Sequence, residues 1–408
     1  MTARPRVHFA PRAGWINDPH GLTWYDGRYH LFFQHVPDSL EWRQDIHWGH
    51  ATSTDLLHWE EQPVALRPSD DEAGCWSGAV VVGEDGTPRI IYTSAREENL
   101  GLGKVRVARP QDPSLTSWVH GNVLATAQRD DTDVFRDPMI FRDGDRWRMI
   151  VGHGNRDGVG GAEVFSSDDL DSWTYDGLLA TRSHEEKNPW TGTAWECPQL
   201  ARLGDSDVLV VSAWEEGTTH HVVAAHGMYA DGRFSADRWQ QITAAPGHYA
   251  ASAFVDAEGR QCLIFWIRGI RDGDQWAGVI SVPYVVSVDD RIRLTPHPSV
   301  EKARRVDDRP GTALDIEWSP TGDGTLRLVG DSQVAELELR DGQLRLAVAG
   351  GAEPVVVDHT GPTVRIVVDG PVLEVVADGG LVGLQVATGD GVVPETDAPG
   401  RLDWWHLT

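Results

Sequence analysis

The chain has 408 residues, 40% of them hydrophobic, and carries 62 acidic against 36 basic side chains for a formal net charge of −26. That is enough apolar material for two or three domains, and a surface this negative repels phosphate backbones and anionic membranes, so nucleic acid and membrane are excluded as partners and a neutral small molecule is not. No apolar run approaches the length of a membrane span, and residues 1–13 hold Arg4, Arg6 and Arg12 without the apolar core of a secretory signal. The three cysteines, Cys75, Cys197 and Cys262, are too few and odd in number for a disulfide framework, so the expected compartment is the reducing cytoplasm.

The first element is a hairpin. In "GWINDPHGLTWYDGRYHLFFQH" (14–35), Asp26-Gly27 is a tight-turn pair, and Tyr29, Leu31 and Phe33 alternate with other residues after it. Weaker copies follow as "GEDGTPRIIY" (83–92), "FRDGDRWRMI" (141–150), "LGDSDVLVVS" (203–212) and "DAEGRQCLIF" (256–265), spaced by about 55 to 60 residues. A second signature, a Ser/Asp turn leading into a Trp-bearing strand, reads in "STDLLHWEE" (53–61), "SSDDLDSWTY" (166–175) and "SADRWQQI" (235–242). Helical periodicity is nearly absent. Five hairpins of this period predict an all-β, five-bladed propeller over residues 1–295, four strands to a blade.

Six to nine residues before each turn lies the strand that should be innermost. There stand Asp18 in "WINDP", Ser77 in "CWSG", Asp137 in "FRDP", Glu196 in "WECP" and Tyr249 in "GHYA". Inner strands converge on the central channel, so these side chains should ring one funnel. Three are carboxylates flanked by Trp15 and Pro19, Phe135 and Pro138, Trp195 and Pro198. Burying an acid beside aromatics is costly unless it is hydrogen-bonded or has a task. A nucleophilic carboxylate, a carboxyl held protonated and a third acid gripping hydroxyls form the equipment of a retaining glycosidase. The 18 tryptophans suit sugar rings, whose C–H faces are apolar, although most should serve as core packing.

The ordered set "WINDPHG", "LFFQH", "HWGHATSTDLLHW", "CWSGAV", "FRDP" and "WECPQL" resembles glycoside hydrolase family 32, the β-fructofuranosidases, from about residue 8 to 300. The resemblance implies a five-bladed propeller followed by a β-sandwich and a small fructoside as substrate; no metal-ligand pattern accompanies His220-His221, and no metal or other cofactor is expected. It implies Asp18 as nucleophile, Glu196 as general acid/base and Asp137 as transition-state stabiliser. Asn17, Gln34, Trp42, Trp76, Ser77 and Arg136 match positions that shape the fructose subsite, with Tyr249 and Trp266 matching later parts of the pattern. Two positions depart from it. His20 stands where Asn is usual, beside the nucleophile, and Gly247 stands where an acid often opens the "GHYA" stretch, which is expected to loosen contacts beyond the fructose ring.

Residues 296–312, "PHPSVEKARRVDDRPGT", read as a linker rich in Pro and mixed charge. Short Val/Leu strands with Asp-Gly and Gly-Gly turns then predict a small β-sandwich over 313–408, supporting the propeller or a homodimer in place of a monomer. The expected activity is release of terminal β-D-fructofuranose from sucrose or short fructo-oligosaccharides. A fructosyltransferase or a levan or inulin hydrolase stays open as an alternative on the same scaffold. Behind these stand a family 43-type furanosidase and a fructoside-binding propeller without catalysis. The negative surface disfavours a phosphorylated substrate unless a local basic pocket exists.

Overall fold

The computed structural model describes residues 4–244, 247–351 and 353–408. It is nearly all β: among the described residues the single α-helix is Pro298–Lys302, inside the segment read as a linker. Strands dominate because Val, Ile, Leu and aromatic residues alternate between tight turns. The opening turn shows this directly. Asp26 and Gly27 both hold positive φ, 49° and 76°, as a two-residue hairpin turn demands.

The N-terminal part is a series of antiparallel meanders. The first runs through Gly14–Tyr25, Arg28–Val36, His47–Ser53 and Glu60–Glu61, and the second through Gly74–Val82, Pro88–Ala95, Lys104–Pro110 and Trp118–Thr126. The third takes Thr132–Asp143, Arg146–Asn155, Val159–Ser167 and Thr174–Ser183; the fourth takes Ala194–Arg202, Asp207–Glu215, Thr218–Ala230 and Arg233–Gln241. The fifth comprises His248–Val255, Gln261–Asp272, Trp276–Ile280, Tyr284–Val288 and Ile292–Pro296. Its strand Trp276–Ile280 pairs in parallel with Gly14 and Trp15, so the end of the series is hydrogen-bonded to its beginning. Each meander shares its apolar faces with its neighbours; Val81 and Ile91 of the second, for example, pack with Phe135, Ile140 and Met149 of the third.

The second signature has a precise physical basis in two of its three copies. Ser53 Oγ accepts the N–H groups of Asp55 and Leu56, and Ser167 Oγ those of Asp169 and Leu170. The leucine then turns into the left-handed region with its side chain buried, at φ 72° in Leu56 and 66° in Leu170. The third copy is corrected by the structure: residues 235–241 lie within the strand Arg233–Gln241 and make no turn. A related turn of the second meander is "DPSLTSW", where Leu115 sits at φ 60° and Asp112 accepts the N–H groups of Thr116 and Ser117, the part that Asp55 plays for Leu57 and His58.

Beyond Pro296 the chain enters two sheets that share one core. One holds Arg304–Arg305, Gly400–Leu407, Ala313–Pro320, Val364–Asp369, Val372–Ala377 and Gly380–Gln385; the other holds Val355–Asp358, Gln343–Val348, Gln333–Arg340, Gly324–Val329 and Val393–Thr396. Leu314, Ile316, Trp318, Ile366 and Leu373 of the first meet Leu326, Leu337, Leu344 and Leu346 of the second. This unit docks on the fifth meander. Thr243 bridges Leu381, and the Asp369 carboxylate accepts the backbone N–H groups of Arg6, Val7 and His8.

Candidate active site

The inner strands of the five meanders all break their ladders at the same depth. In the third, Arg136 pairs with Gly152 and the next pair is Met139 with Ile150, so Asp137 and Pro138 oppose one residue. The fourth breaks between Glu196–Ser212 and Gln199–Val210, the fifth between Tyr249–Trp266 and Ser252–Ile264. Asn17 and Asp18 fill the break in the first, and Ser77 fills it in the second. Such bulges re-aim side chains and bend the strand.

The registers correct the equivalence expected from sequence. Glu196 and Tyr249 are the last paired residues before their bulges, so they match Arg136 and not Asp137. The counterparts of Asp137 are Cys197 and Ala250, and these three share positive φ, 64°, 45° and 49°. A non-glycine residue held there costs on the order of 1–3 kcal/mol and persists only where surrounding structure imposes it. The reversal lets two consecutive side chains, Arg136 and Asp137, reach the same cavity.

That cavity, of about 590 Å³, is lined by Asn17, Asp18, Gln34, Trp42, Trp76, Arg136, Asp137, Glu196, Tyr249 and Trp266. Ten of the eleven site residues read from sequence thus line one chamber. The eleventh, Ser77, lies behind it and donates from Oγ to Asp18 Oδ2 at 2.6 Å, while Gln34 Nε2 donates to Ser77 Oγ. Asn17 explains its own place beside Trp15. The indole Nε1–H donates to Asn17 Oδ1 (3.1 Å), which turns Nδ2 toward Asp18 Oδ1 (3.0 Å) and Gln34 Oε1 (3.1 Å). Asp18 is therefore held by Asn17 on Oδ1 and by Ser77 on Oδ2.

Glu196 faces two donors of a different kind. Arg136 Nε donates to Oε1 at 3.0 Å and the Tyr249 hydroxyl to Oε2 at 2.7 Å. The guanidinium lies over Trp214 and Trp76, at 4.7 and 5.9 Å from the ring centres. Asp137 takes the backbone N–H of Cys197 at 3.0 Å, and its own N–H donates to Thr93 Oγ1 at 2.7 Å. The Cys197 thiol lies against both Asp18 (3.5 Å) and Asp137 (3.6 Å), so its single S–H can serve one of the two acids at a time.

Three acids around one guanidinium cannot all ionise freely. Burial first, then repulsion from Glu196, pushes Asp18 above the usual carboxylate range, against the hydrogen bonds of Ser77, Asn17 and Cys197. Burial and then Glu196 raise Asp137 to about 7, with Arg136 opposing and Asp18 adding to the rise. Burial also lifts the Cys197 thiol well above its ordinary range, which makes it a poor nucleophile.

Both departures noted in the sequence fall outside the chamber. His20 is not among its lining residues; its ring stacks on Trp48 at 3.8 Å, and burial lowers it to about 3, so it is a neutral core residue. Gly247 sits against the backbone of Gly383 in the second unit, where any Cβ would collide with the Gly383 carbonyl. Glycine there follows from docking, and the expected loosening of the sugar site is overturned. Sequence reading also missed six lining residues: Trp15, Leu100, Gly101, Trp214, Gly217 and Thr219. Only Trp15 had a signal, its place two residues before Asn17; Trp214 and Thr219 sit at strand ends and Leu100, Gly101 and Gly217 in turns, none within a motif. Two groups bring three potential metal ligands together, Glu72–Cys75–His120 and Asp256–Cys262–His297. Neither lines this chamber. Glu72 is taken up by Ser69 and Tyr92, and Asp256 by Arg260 and His297.

Residues 8–298 match the model of the glycosyl hydrolases family 32 N-terminal domain. The chain belongs to glycosyl hydrolase family 32. Family 32 relatives include a sucrose-6-phosphate hydrolase of Zymomonas mobilis, 32% identical over 74% of this chain, and one of Escherichia coli, 35% identical over 69%. The matches span 63% and 61% of those two relatives' lengths. A fructan 6-exohydrolase of Beta vulgaris is 30% identical over 70% of this chain and 52% of its own. Among solved family 32 structures, a Bombyx mori beta-fructofuranosidase in complex with sucrose shares the fold with a TM-score of 0.84 at 23% identity, over 99% of this chain and 93% of that one. A Lactobacillus gasseri sucrose-6-phosphate hydrolase gives 0.84 at 20%, over 99% and 93%.

Proposed function

We propose that this family 32 chain is a retaining β-fructofuranosidase that releases terminal fructose from sucrose or short fructo-oligosaccharides. The observation that carries the proposal is the convergence of Asp18, Asp137 and Glu196 on one aromatic-lined chamber. In this reading the five meanders are five propeller blades over residues 1–295. The segment 296–312 joins them to a β-sandwich at 313–408. Asp18, oriented by Asn17 and Ser77, attacks the anomeric carbon. Glu196 protonates the departing oxygen and then activates water. Its contact with Tyr249 survives the proton's arrival if the hydroxyl turns from donor to acceptor. Asp137 and Arg136 grip fructose hydroxyls, and Trp42, Trp76 and Trp266 supply apolar walls with Gln34 beside them. Three buried and unpaired cysteines support a reducing, cytoplasmic setting. Among the described residues no helix is long and apolar enough to cross a membrane.

Names borne by the relatives, from sucrose-6-phosphate hydrolase to fructan exohydrolase, support fructoside cleavage and leave the leaving group to be decided. The test is incubation with sucrose, kestose, inulin and levan, with products separated by chromatography. Fructose from sucrose and kestose is the expected result. Absence of fructose from all four would end this reading, and longer fructosides as the main product would make the chain a fructosyltransferase.

A further inference from the structure

The depth of the chamber orders the substrate. Asp137 lies at its floor, 5% exposed, while Trp42 is 47% exposed and Gly217 is also exposed. If the fructosyl ring reaches Asp18, the rest of the substrate lies against Trp42, Leu100, Gly101, Trp214, Gly217 and Thr219. This follows from the β-fructofuranosidase reading and deepens it.

Acidic residues predominate beside these lining residues. Glu41 precedes Trp42, Glu97 and Glu98 precede Leu100, and Glu215 and Glu216 stand between Trp214 and Gly217. Four arginines within or beside the chamber already have acceptors among the described residues. Arg136 is the single basic residue in the lining, and it serves Glu196. Arg43, next to Trp42, pairs with Asp38 (3.0 Å) and Asp45 (2.7 Å), and Arg96 lies 3.7 Å from Glu98. Arg268 is half-buried against Tyr249 and spends its donors on the carbonyls of Thr219, His220 and Gly247 and on Thr219 Oγ1. A phosphate monoester needs free Arg or Lys forks or backbone N–H groups to replace its hydration, and acids close by repel it.

We infer that the leaving-group side of this chamber is built for an uncharged sugar and discriminates against a phosphorylated one. Sucrose is then preferred over sucrose 6-phosphate, in contrast to the names of the Zymomonas mobilis and Escherichia coli relatives. The aromatic rim stacks the neutral ring, and the surrounding glutamates exclude the dianion.

The decisive experiment is titration of the Asp18→Asn protein with sucrose and with sucrose 6-phosphate, read by tryptophan fluorescence, beside kcat/KM of the unmodified protein on both. Sucrose should bind at least tenfold more tightly at low salt, and the gap should narrow as salt screens the rim. The double substitution Glu97→Lys, Glu98→Lys should raise kcat/KM for sucrose 6-phosphate several-fold and leave that for sucrose unchanged. Equal or tighter binding of sucrose 6-phosphate, or no binding of sucrose, overturns the inference. Rapid cleavage of sucrose 6-phosphate overturns it too but leaves the fructosidase reading intact. Binding of sucrose without cleavage of either sugar by the unmodified protein would sink that reading alone.

Discussion

Two clusters of buried carboxylates in this molecule have opposite electrostatic fates. At the junction between the fifth meander and the C-terminal sheets, Glu374 accepts from His8 Nε2 and His248 Nε2, both at 2.6 Å, from the Tyr284 hydroxyl at 2.9 Å and from the Val282 N–H at 3.1 Å. Burial alone would raise its pKa. The charge on His8 and the hydrogen bonds of the two histidines overcome burial and hold Glu374 far below the usual range. At the chamber floor, Asp137 is equally enclosed but shares one guanidinium with Glu196 and stands near Asp18, and it rises to about 7. Burial is common to both clusters, and the balance of donors and like charges decides the sign. The junction is arranged to hold the chain together; the chamber crowds three acids around one guanidinium.

The largest effects should come from emptying the chamber of its reactive groups. Asp18→Asn and Glu196→Gln are each expected to lower kcat by 10³-fold or more, about 4 kcal/mol at 1.36 kcal/mol per decade. Neither should lower Tm. The same kind of change at the junction should do the reverse. Glu374→Ala leaves two histidines and a phenol facing a void, and removal of one partner from a buried ion pair costs about 3–5 kcal/mol. Denaturant unfolding should show that loss directly, and an unchanged midpoint would mean that the junction is not a stabilising device.

Asp137→Asn sharpens the comparison through pH. A carboxyl whose folded pKa rises from an ordinary 3.8 to about 7 binds its proton more tightly in the folded state. Its contribution is therefore favourable below pH 4 and is lost as pH climbs toward 7. The full shift corresponds to about 4 kcal/mol, an upper bound for an acid coupled to its neighbours. The variant should match the parent in Tm near pH 4 and exceed it progressively up to pH 7. A constant difference across that range would remove the electrostatic account.

His8 gives a smaller effect of the same origin. Burial lowers its pKa, but the Glu374 charge and the Asp369 hydrogen bond outweigh burial and raise it to about 9. The raised value contributes stability that is complete below pH 6.5 and is lost as pH rises through 9. Unfolding followed from pH 6 to 10 should show this decline in the parent, and His8→Gln should flatten it.

How much of this was legible beforehand depended on the range of the interactions. The Asp26-Gly27 turn and the three acids could be read because turn chemistry and short motifs are local. The register of Glu196 could not, since "FRDP" and "WECP" look alike until the bulges place Glu196 opposite Ser212 and Asp137 outside the pairing. Leu115 was missed because Asp112 stands where the other two turns have serine and accepts the two N–H groups that follow the leucine. Glu374 reads as an ordinary alternating residue in "VLEVVA", and its partner His8 is 366 residues away. Gly247 looked like a lost ligand because the strand packed against it, around Gly383, belongs to another unit. Trp214 and the Leu100–Gly101 loop carry no pattern at all; only the closed arrangement of meanders brings them to the chamber.

The central claim is that the crowded acids of the chamber carry out a double displacement at Asp18. Prompt NMR of sucrose cleavage in the presence of methanol tests it most directly, because methyl fructoside cannot mutarotate. Methyl β-D-fructofuranoside, with β-fructofuranose appearing first in its absence, is the predicted result. Formation of the α-fructoside, or of α-fructose first, would contradict the account.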